Sequence, residues 1–316
     1  MALFLLRRSI QSLGLLLLVS VIGFFILHLA PGGPLSQYMS TPGMTAEAIN
    51  RVKESMGLNR PLPIQYLDWL SHLLTGDWGK SYRDGRSVLL VIGGHMGATL
   101  LLMLTAMAVA IVAGGLVGVF GAVRQRSAFD YVTSMIAMVA LSIPTFWFGL
   151  VGIYFFSVQL GWLPAGGMYT IGNGSIGDIA IHLVMPVAVL ALVNIAVWSR
   201  YMRTATLEVI NQDFVRTARA KGLAPTLILR RHILRNALLP MITLIGLQLP
   251  GLIGGALVTE TVFTWPGVGR LFLDSLGYKD YPVIMGLLMF SAILTIVGNL
   301  LADIFVAAAD PRIRNQ

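Results

Sequence analysis

Asp213–Pro240 reads DFVRTARAKGLAPTLILRRHILRNALLP and lies between two apolar stretches, each long enough to cross a bilayer. Arg216, Arg219, Lys221, Arg230, Arg231 and Arg235 stand in it against one acid, Asp213. Asp213–Lys221 holds good helix formers, and Gly222 supplies a C-terminal stop. Pro225 opens a second helix, because a first-turn proline forfeits no helical hydrogen bond. Leu229, Ile233 and Ala237 then recur at every fourth position on one face, Arg231 and Arg235 on another. The pattern predicts a helix–Gly–helix hairpin projecting from a membrane. A basic loop that only fixes topology would have the same composition, since Lys and Arg accumulate on cytoplasmic faces.

The rest of the chain supports a membrane setting. Of 316 residues, 56% are hydrophobic and only 11% charged, with a mean hydropathy of +0.78; a soluble domain is roughly a quarter charged. The predicted fold is an all-α polytopic membrane protein, a single domain over 1–316. Its six transmembrane helices fall at about 9–29, 97–123, 131–160, 181–198, 238–258 and 283–306. Arg7 and Arg8 precede the first run, which is too long for a signal-peptide core and is read as retained. Residues 35–95 are polar enough for an external subdomain. In it Thr45 caps one helix that Gly57 ends, and a second runs from Leu62 to Leu74 with Leu67, Leu70 and Leu74 inward. Pro144 interrupts the third span and permits a kink. Trp162 marks an interfacial turn. Gly114 and Gly118 form a GxxxG pair that favours helix packing. Arg200 and Arg203 end the fourth span.

Charge sets the orientation. With both termini, 123–130 and the loop 199–237 inside, fourteen of the 22 Lys and Arg fall inside against four acids. The outside loops carry the other eight bases and nine acids. The asymmetry satisfies the positive-inside rule and accounts for the net charge of +8 without nucleic acid. Asp303, near the inner end of the sixth span, suits an interfacial role or a pairing with Arg312.

Catalytic motifs are missing. Cysteine is absent, which excludes disulfides and thiol chemistry. Gly93–Gly97 (GGHMG) lacks the lysine of a phosphate loop, and the sequence has neither HExxH nor GxSxG. A chain that neither binds ATP nor hydrolyses a substrate by itself is expected, with no cofactor or metal of its own. Glu260–Arg270 (ETVFTWPGVGR) follows the fifth span. It is expected to place Glu260, Phe263, Trp265, Pro266 and Gly267 at the outer mouth, bordering a substrate path or a docking surface.

RTARAKGL, with Leu239–Pro240 seventeen residues after Gly222, resembles the cytoplasmic "EAA" loop of ABC importer permeases, in the dipeptide, oligopeptide and nickel branch. Arg216 stands where that pattern has Glu, so the glutamate's contact is not carried over to it. Glu260–Gly269, Asp280-Tyr-Pro, Asp310-Pro-Arg and Leu29-Ala-Pro-Gly resemble the same branch, so the likeness spans the chain. It implies a type I ABC importer permease whose cytoplasmic coupling helices include Arg216, Thr217, Ala218, Arg219, Lys221, Gly222 and Leu223. It also implies a bacterial cytoplasmic (inner) membrane location and a second homologous permease. Two ATPase subunits would bind ATP and Mg, and an external binding protein would deliver di- or oligopeptides; nickel, glutathione or opine are the alternative cargoes. An ATP-independent secondary transporter would instead carry inverted repeats and midplane acidic or His relays, and neither is evident.

Overall fold

The computed structural model describes residues 2–29, 35, 45–55, 57–238, 241, 244–245, 248 and 257–309. In chain order the helices are α1 Ala2–Leu29, α2 Ala46–Ser55, α3 Leu62–Leu74, α4 Val88–Val123, α5 Ala128–Ser142, α6 Thr145–Gly152, α7 Ile176–Ile210, α8 Asp213–Ala220, α9 Pro225–Ile228, α10 Leu257–Val262, α11 Val268–Tyr278 and α12 Tyr281–Ala309. Wide π turns continue α6 over Ile153–Gln159 and α9 over Leu229–Ile233. The chain divides into two compact units, one of Met1–Gly97 with Gly267–Val297, the other of Ala98–Pro266 with Gly298–Gln316.

Among the described residues four helices are long and apolar enough to cross a membrane: α1, α4, α7 and α12. The α5–α6 pair qualifies only as a bent span. The predicted fifth span, 238–258, lies mostly outside the described residues, as do Leu239–Pro240, Asp310–Arg312 and the Ala-Pro-Gly after Leu29.

In the first unit α3 packs on α1. Phe24, Leu27 and Tyr66 share a core with Tyr281, Ile284 and Met285, and the hydroxyls of Ser20 and Tyr66 lie 2.8 Å apart. Thr45 caps α2 through the Ala48 amide, and Gly57 ends it at φ +67°, both as expected. The inward face of α3 differs from expectation. Leu67 and Leu74 are exposed, and Tyr66, Trp69 and Leu70 take the core, because α1 presents Phe24 and Phe25 to aromatic partners.

The second span begins at Val88, not Gly97. Hydropathy locates the part that suits lipid. The helix extends further back because Val88, Val91 and Ile92 bury against Val268, Val283 and Leu287. At 36 residues it is about 54 Å long, well beyond a bilayer core of about 30 Å. The sixth span likewise begins at Tyr281 and runs to Ala309, and the first at Ala2, so Arg7 and Arg8 sit within helix.

In the second unit the proline at 144 breaks the third span instead of kinking it. Ile143, the residue before proline, is extended at φ −94°, ψ 131°, as the proline ring demands of its neighbour. Pro144 is extended too, and the two halves meet at 100°. The fourth span does not end at Arg200 and Arg203. Helix α7 continues to Ile210 because Trp198, Met202 and Ala205 are buried with Ala110, Ala191 and Ala237. Gly114 and Gly118 bring α4 against α7, as the GxxxG spacing predicts. A Cβ at Gly118 would stand 2.5 Å from the Ser199 carbonyl oxygen.

Candidate functional site

The hairpin is built as its sequence implies, with one change of register. Helix α8 ends in two hydrogen bonds: the Gly222 amide donates to Arg219 O at 2.9 Å and the Leu223 amide to Ala218 O at 3.3 Å. This pairing needs a left-handed residue at the turn, and Gly222 supplies it at φ +73°. Pro225 then opens α9 in its first turn. The π turn over Leu229–Ile233 widens the helix, so residues five apart share a face. Ile228 and Ile233 are therefore the buried pair, and Leu229 is only half-buried. Val215 and Ala218 of α8 close the hairpin core against them.

Arg216, Thr217, Arg219, Lys221, Gly222 and Leu223 are all exposed, while Ala218 is 5% exposed and packs inside the hairpin. Arg216 reaches back to Asp213 at 3.4 Å, and Thr217 donates to the Asp213 carbonyl at 3.0 Å. Phe214, Leu223 and Leu227 add exposed apolar area to this basic face. Ala237 packs back on Trp198 and Met202, so the second half of the hairpin is anchored to α7.

The Glu260 loop is not an open rim. Glu260, Phe263 and Trp265 are each at most 1% exposed. Thr99 of α4 donates its hydroxyl to Glu260 Oε1 at 2.8 Å. The Trp265 indole N–H donates to the Ala98 carbonyl at 2.8 Å, and its ring fills a core of Ala98, Leu102, Ala106 and Val187. Phe263 packs on Met185 and Val189, and its carbonyl accepts from the Gly167 amide at 2.8 Å. Thr264 takes the left-handed turn at φ +48° between them. Pro266 is half-buried and Gly267 buried. The exposed edge of the loop is Thr261 and Thr264.

The Gly167 loop of this contact is locked in turn by α7. His182 Nδ1–H donates to Gly167 O at 3.1 Å, since a carbonyl only accepts. Asp178 accepts from both the amide and the hydroxyl of Thr170, at 2.6 and 2.8 Å.

Three residues act as polar anchors; Asp280 stands out in the Asp280-Tyr-Pro motif, whereas Asp130 and Thr99 belong to no motif. Asp130, 4% exposed, accepts both Nε (2.7 Å) and Nη2 (2.9 Å) of Arg203, and also the Arg126 amide. Thr99 is the partner of Glu260. In the first unit Asp280 accepts from Ser81 Oγ at 2.5 Å and the Tyr82 amide at 3.0 Å, fixing the turn at 77–87. There Arg86, bonding Asp84 first through its side chain and then through its amide, holds that carboxyl below its ordinary range. Thr99 is a lone hydroxyl at the start of an apolar run, whereas Asp130 and Asp280 lie among polar or basic neighbours. Which acid meets which base is decided by helix packing and leaves no local pattern.

Residues 110–315 match the family model described as "Binding-protein-dependent transport system inner membrane component", and residues 1–103 match the model for the N-terminal part of such components. The chain is 44% identical over 99% of both chains to the oligopeptide transport system permease protein AppB of Bacillus subtilis. It is 39% identical, over 94% of each, to the di/tripeptide transport system permease protein DppB of Pseudomonas aeruginosa. It is 36% identical, over 98% of each, to the glutathione transport system permease protein GsiC of Salmonella choleraesuis. Among solved structures, an inward-facing form of the MetNI methionine ABC transporter matches with a TM-score of 0.57 at 21% identity, covering 70% of this chain and 97% of that one; at that identity the likeness concerns the fold. With family models and full-length relatives agreeing from end to end, the chain belongs to the binding-protein-dependent transport system inner membrane components, the permease subunits of ABC importers.

Proposed function

We propose that this chain is the membrane permease of an ATP-driven importer of di- or oligopeptides, and that the Asp213–Ala237 hairpin is its coupling element. The observation that carries this is the hairpin itself: a Gly222-turned pair of helices with a basic and apolar outward face, joined to the long α7 by only Asn211 and Gln212. In this reading two cytoplasmic ATPase subunits bind ATP and Mg and grip Arg216, Thr217, Arg219, Lys221, Gly222 and Leu223. Ala218 serves from inside, by holding α8 to α9. Closure of the ATPase pair on ATP pushes the hairpin. Helix α7 transmits the push to the bundle, which alternates between inward- and outward-facing states together with a second homologous permease. An external binding protein delivers the cargo. The Bacillus and Pseudomonas relatives support peptides, and the Salmonella relative supports glutathione, itself a small peptide, as the alternative within the same reading. The buried Glu260 loop acts here by shaping the pathway wall, with Thr261 and Thr264 as its accessible edge.

The hairpin lies on the cytoplasmic side of the bacterial inner membrane with both termini, and 35–95 lie outside, because the bases are concentrated that way. Reporter fusions after Gln316 and near Pro61 are expected to report opposite sides; a C-terminal fusion reporting the outside would refute the orientation.

Gly222 provides the functional test. A Cβ there meets nothing within 4 Å, so the whole cost of a side chain is backbone strain, roughly 1–2 kcal/mol for a β-branched residue. Gly222→Val is expected to insert and accumulate normally but to lose ATPase co-purification and peptide uptake, because α9 leaves α8 at a changed angle. Gly222→Asn, which tolerates the left-handed region, is expected to keep most of both. Full uptake and partner binding by Gly222→Val would show that the hairpin is not the coupling element.

A further inference from the structure

A groove of about 420 Å³ runs between α5 and α7, lined by Leu141, Val197, Arg200, Tyr201 and Thr204. Arg200, Tyr201 and Thr204 are exposed, and their spacing puts them on one side of α7. The two helices are antiparallel: Asp130 meets Arg203 at one level, and Ala137 and Ala196 share a cluster further along. From the ion pair, Arg200 lies three residues up α7 and Leu141 eleven residues along α5. With the rise of an α-helix, Leu141 is therefore about 12 Å further from the ion pair than Arg200. The groove is thus amphipathic along its length. A guanidinium and two hydroxyls mark the end near the basic hairpin, and branched apolar side chains mark the end deeper in the span.

Arg203 is neutralised by Asp130, but Arg200, one turn away, meets no carboxylate among the described residues. Arg200 stands at the cytoplasmic edge of the span, the level at which lipid headgroups lie and anionic lipids attract basic side chains. A planar guanidinium with flanking hydroxyl donors suits the oxygens of a phosphate. The deeper end of the groove is lined by the apolar side chains of Val197 and Leu141. A peptide carboxylate would satisfy Arg200 yet set its amide backbone against Val197 and Leu141.

We propose that this groove binds one anionic phospholipid. Its phosphate sits on Arg200 with Tyr201 and Thr204 as supporting donors, and an acyl chain runs past Val197 towards Leu141. The site is separate from the hairpin face and independent of the cargo.

The test uses the assembled transporter, wild type and Arg200→Gln, in nanodiscs of phosphatidylcholine with phosphatidylglycerol as the minor lipid. Native mass spectrometry counts the phosphatidylglycerol retained. The wild type is expected to keep one molecule that Arg200→Gln releases, with affinity for it lowered roughly tenfold or more, as for loss of a charged hydrogen-bond donor. Phosphatidylcholine retention should be unchanged, and Arg200→Lys should be intermediate. A photo-crosslinking side chain substituted for Leu141 should label a lipid acyl chain in the otherwise wild-type complex, which keeps the test open if Arg200→Gln fails to assemble. Equal phosphatidylglycerol retention by wild type and Arg200→Gln would overturn the proposal, as would crosslinking from position 141 to protein alone. Loss of peptide uptake in Arg200→Gln with lipid retention unchanged would assign the cation to a substrate carboxylate, and would overturn it too.

Discussion

Gly118→Val is expected to abolish the folded form of the second unit. A Cβ at 118 would lie 2.5 Å from Ser199 O, 2.8 Å from Met202 Cβ and 3.0 Å from the Arg203 amide. None of these atoms can swing aside, because each belongs to or adjoins the backbone of α7. The helices would have to part. Parting them would unpack Trp198 and Met202 and pull Arg203 away from Asp130. Overpacking that side chains can absorb costs about 1–3 kcal/mol; with backbone as the obstacle, a loss above that range is expected. Gly115 is the matched control, since a Cβ there meets nothing within 4 Å. Thermal unfolding and membrane yield should collapse for Gly118→Val and stay near wild type for Gly115→Val. Equal melting of the two variants would show that α4 and α7 do not approach this closely.

Trp265→Ala is expected to have the next largest effect, and on folding first. The ring is fully buried, and its removal leaves a cavity among Ala98, Leu102, Ala106 and Val187 and takes the indole donor from the Ala98 carbonyl. Truncation of a buried aromatic costs roughly 3–5 kcal/mol. Trp265→Phe keeps most of the ring volume and loses the hydrogen bond, at a cost of about 1 kcal/mol. The expected order of unfolding temperatures is therefore wild type, then Phe close below, then Ala far below, with uptake following folded protein. A residue that served as an exposed docking anchor would behave otherwise. Both variants would fold normally and uptake alone would drop, which would refute the buried-anchor reading.

The hairpin shows how far local pattern reaches. Gly222 as the stop, Pro225 as the start, and the inward set Ile233 and Ala237 all follow from rules that concern a few neighbouring residues. The exchange of Leu229 for Ile228 does not follow, because a π turn is stabilised by packing and has no propensity signature. The Glu260 loop marks the opposite limit. Its composition suggested an exposed mouth, yet Glu260 finds Thr99 and Trp265 finds the Ala98 carbonyl, partners more than 150 residues away in sequence.

By itself, the sequence determined the apolar runs and the uneven charge of the segments between them. It also determined the helix stops at Gly57 and Gly222 and the capacity of Gly114 and Gly118 for close helix contact, because hydropathy, charge and glycine geometry act locally. Tertiary structure alone decided that α4 starts at Val88 and that α7 outruns its apolar run to Ile210. It decided the Asp130–Arg203 pairing, and it buried Glu260, Phe263 and Trp265. Each of these is set by the partner surface that covers the residue, and that surface comes from a distant part of the chain.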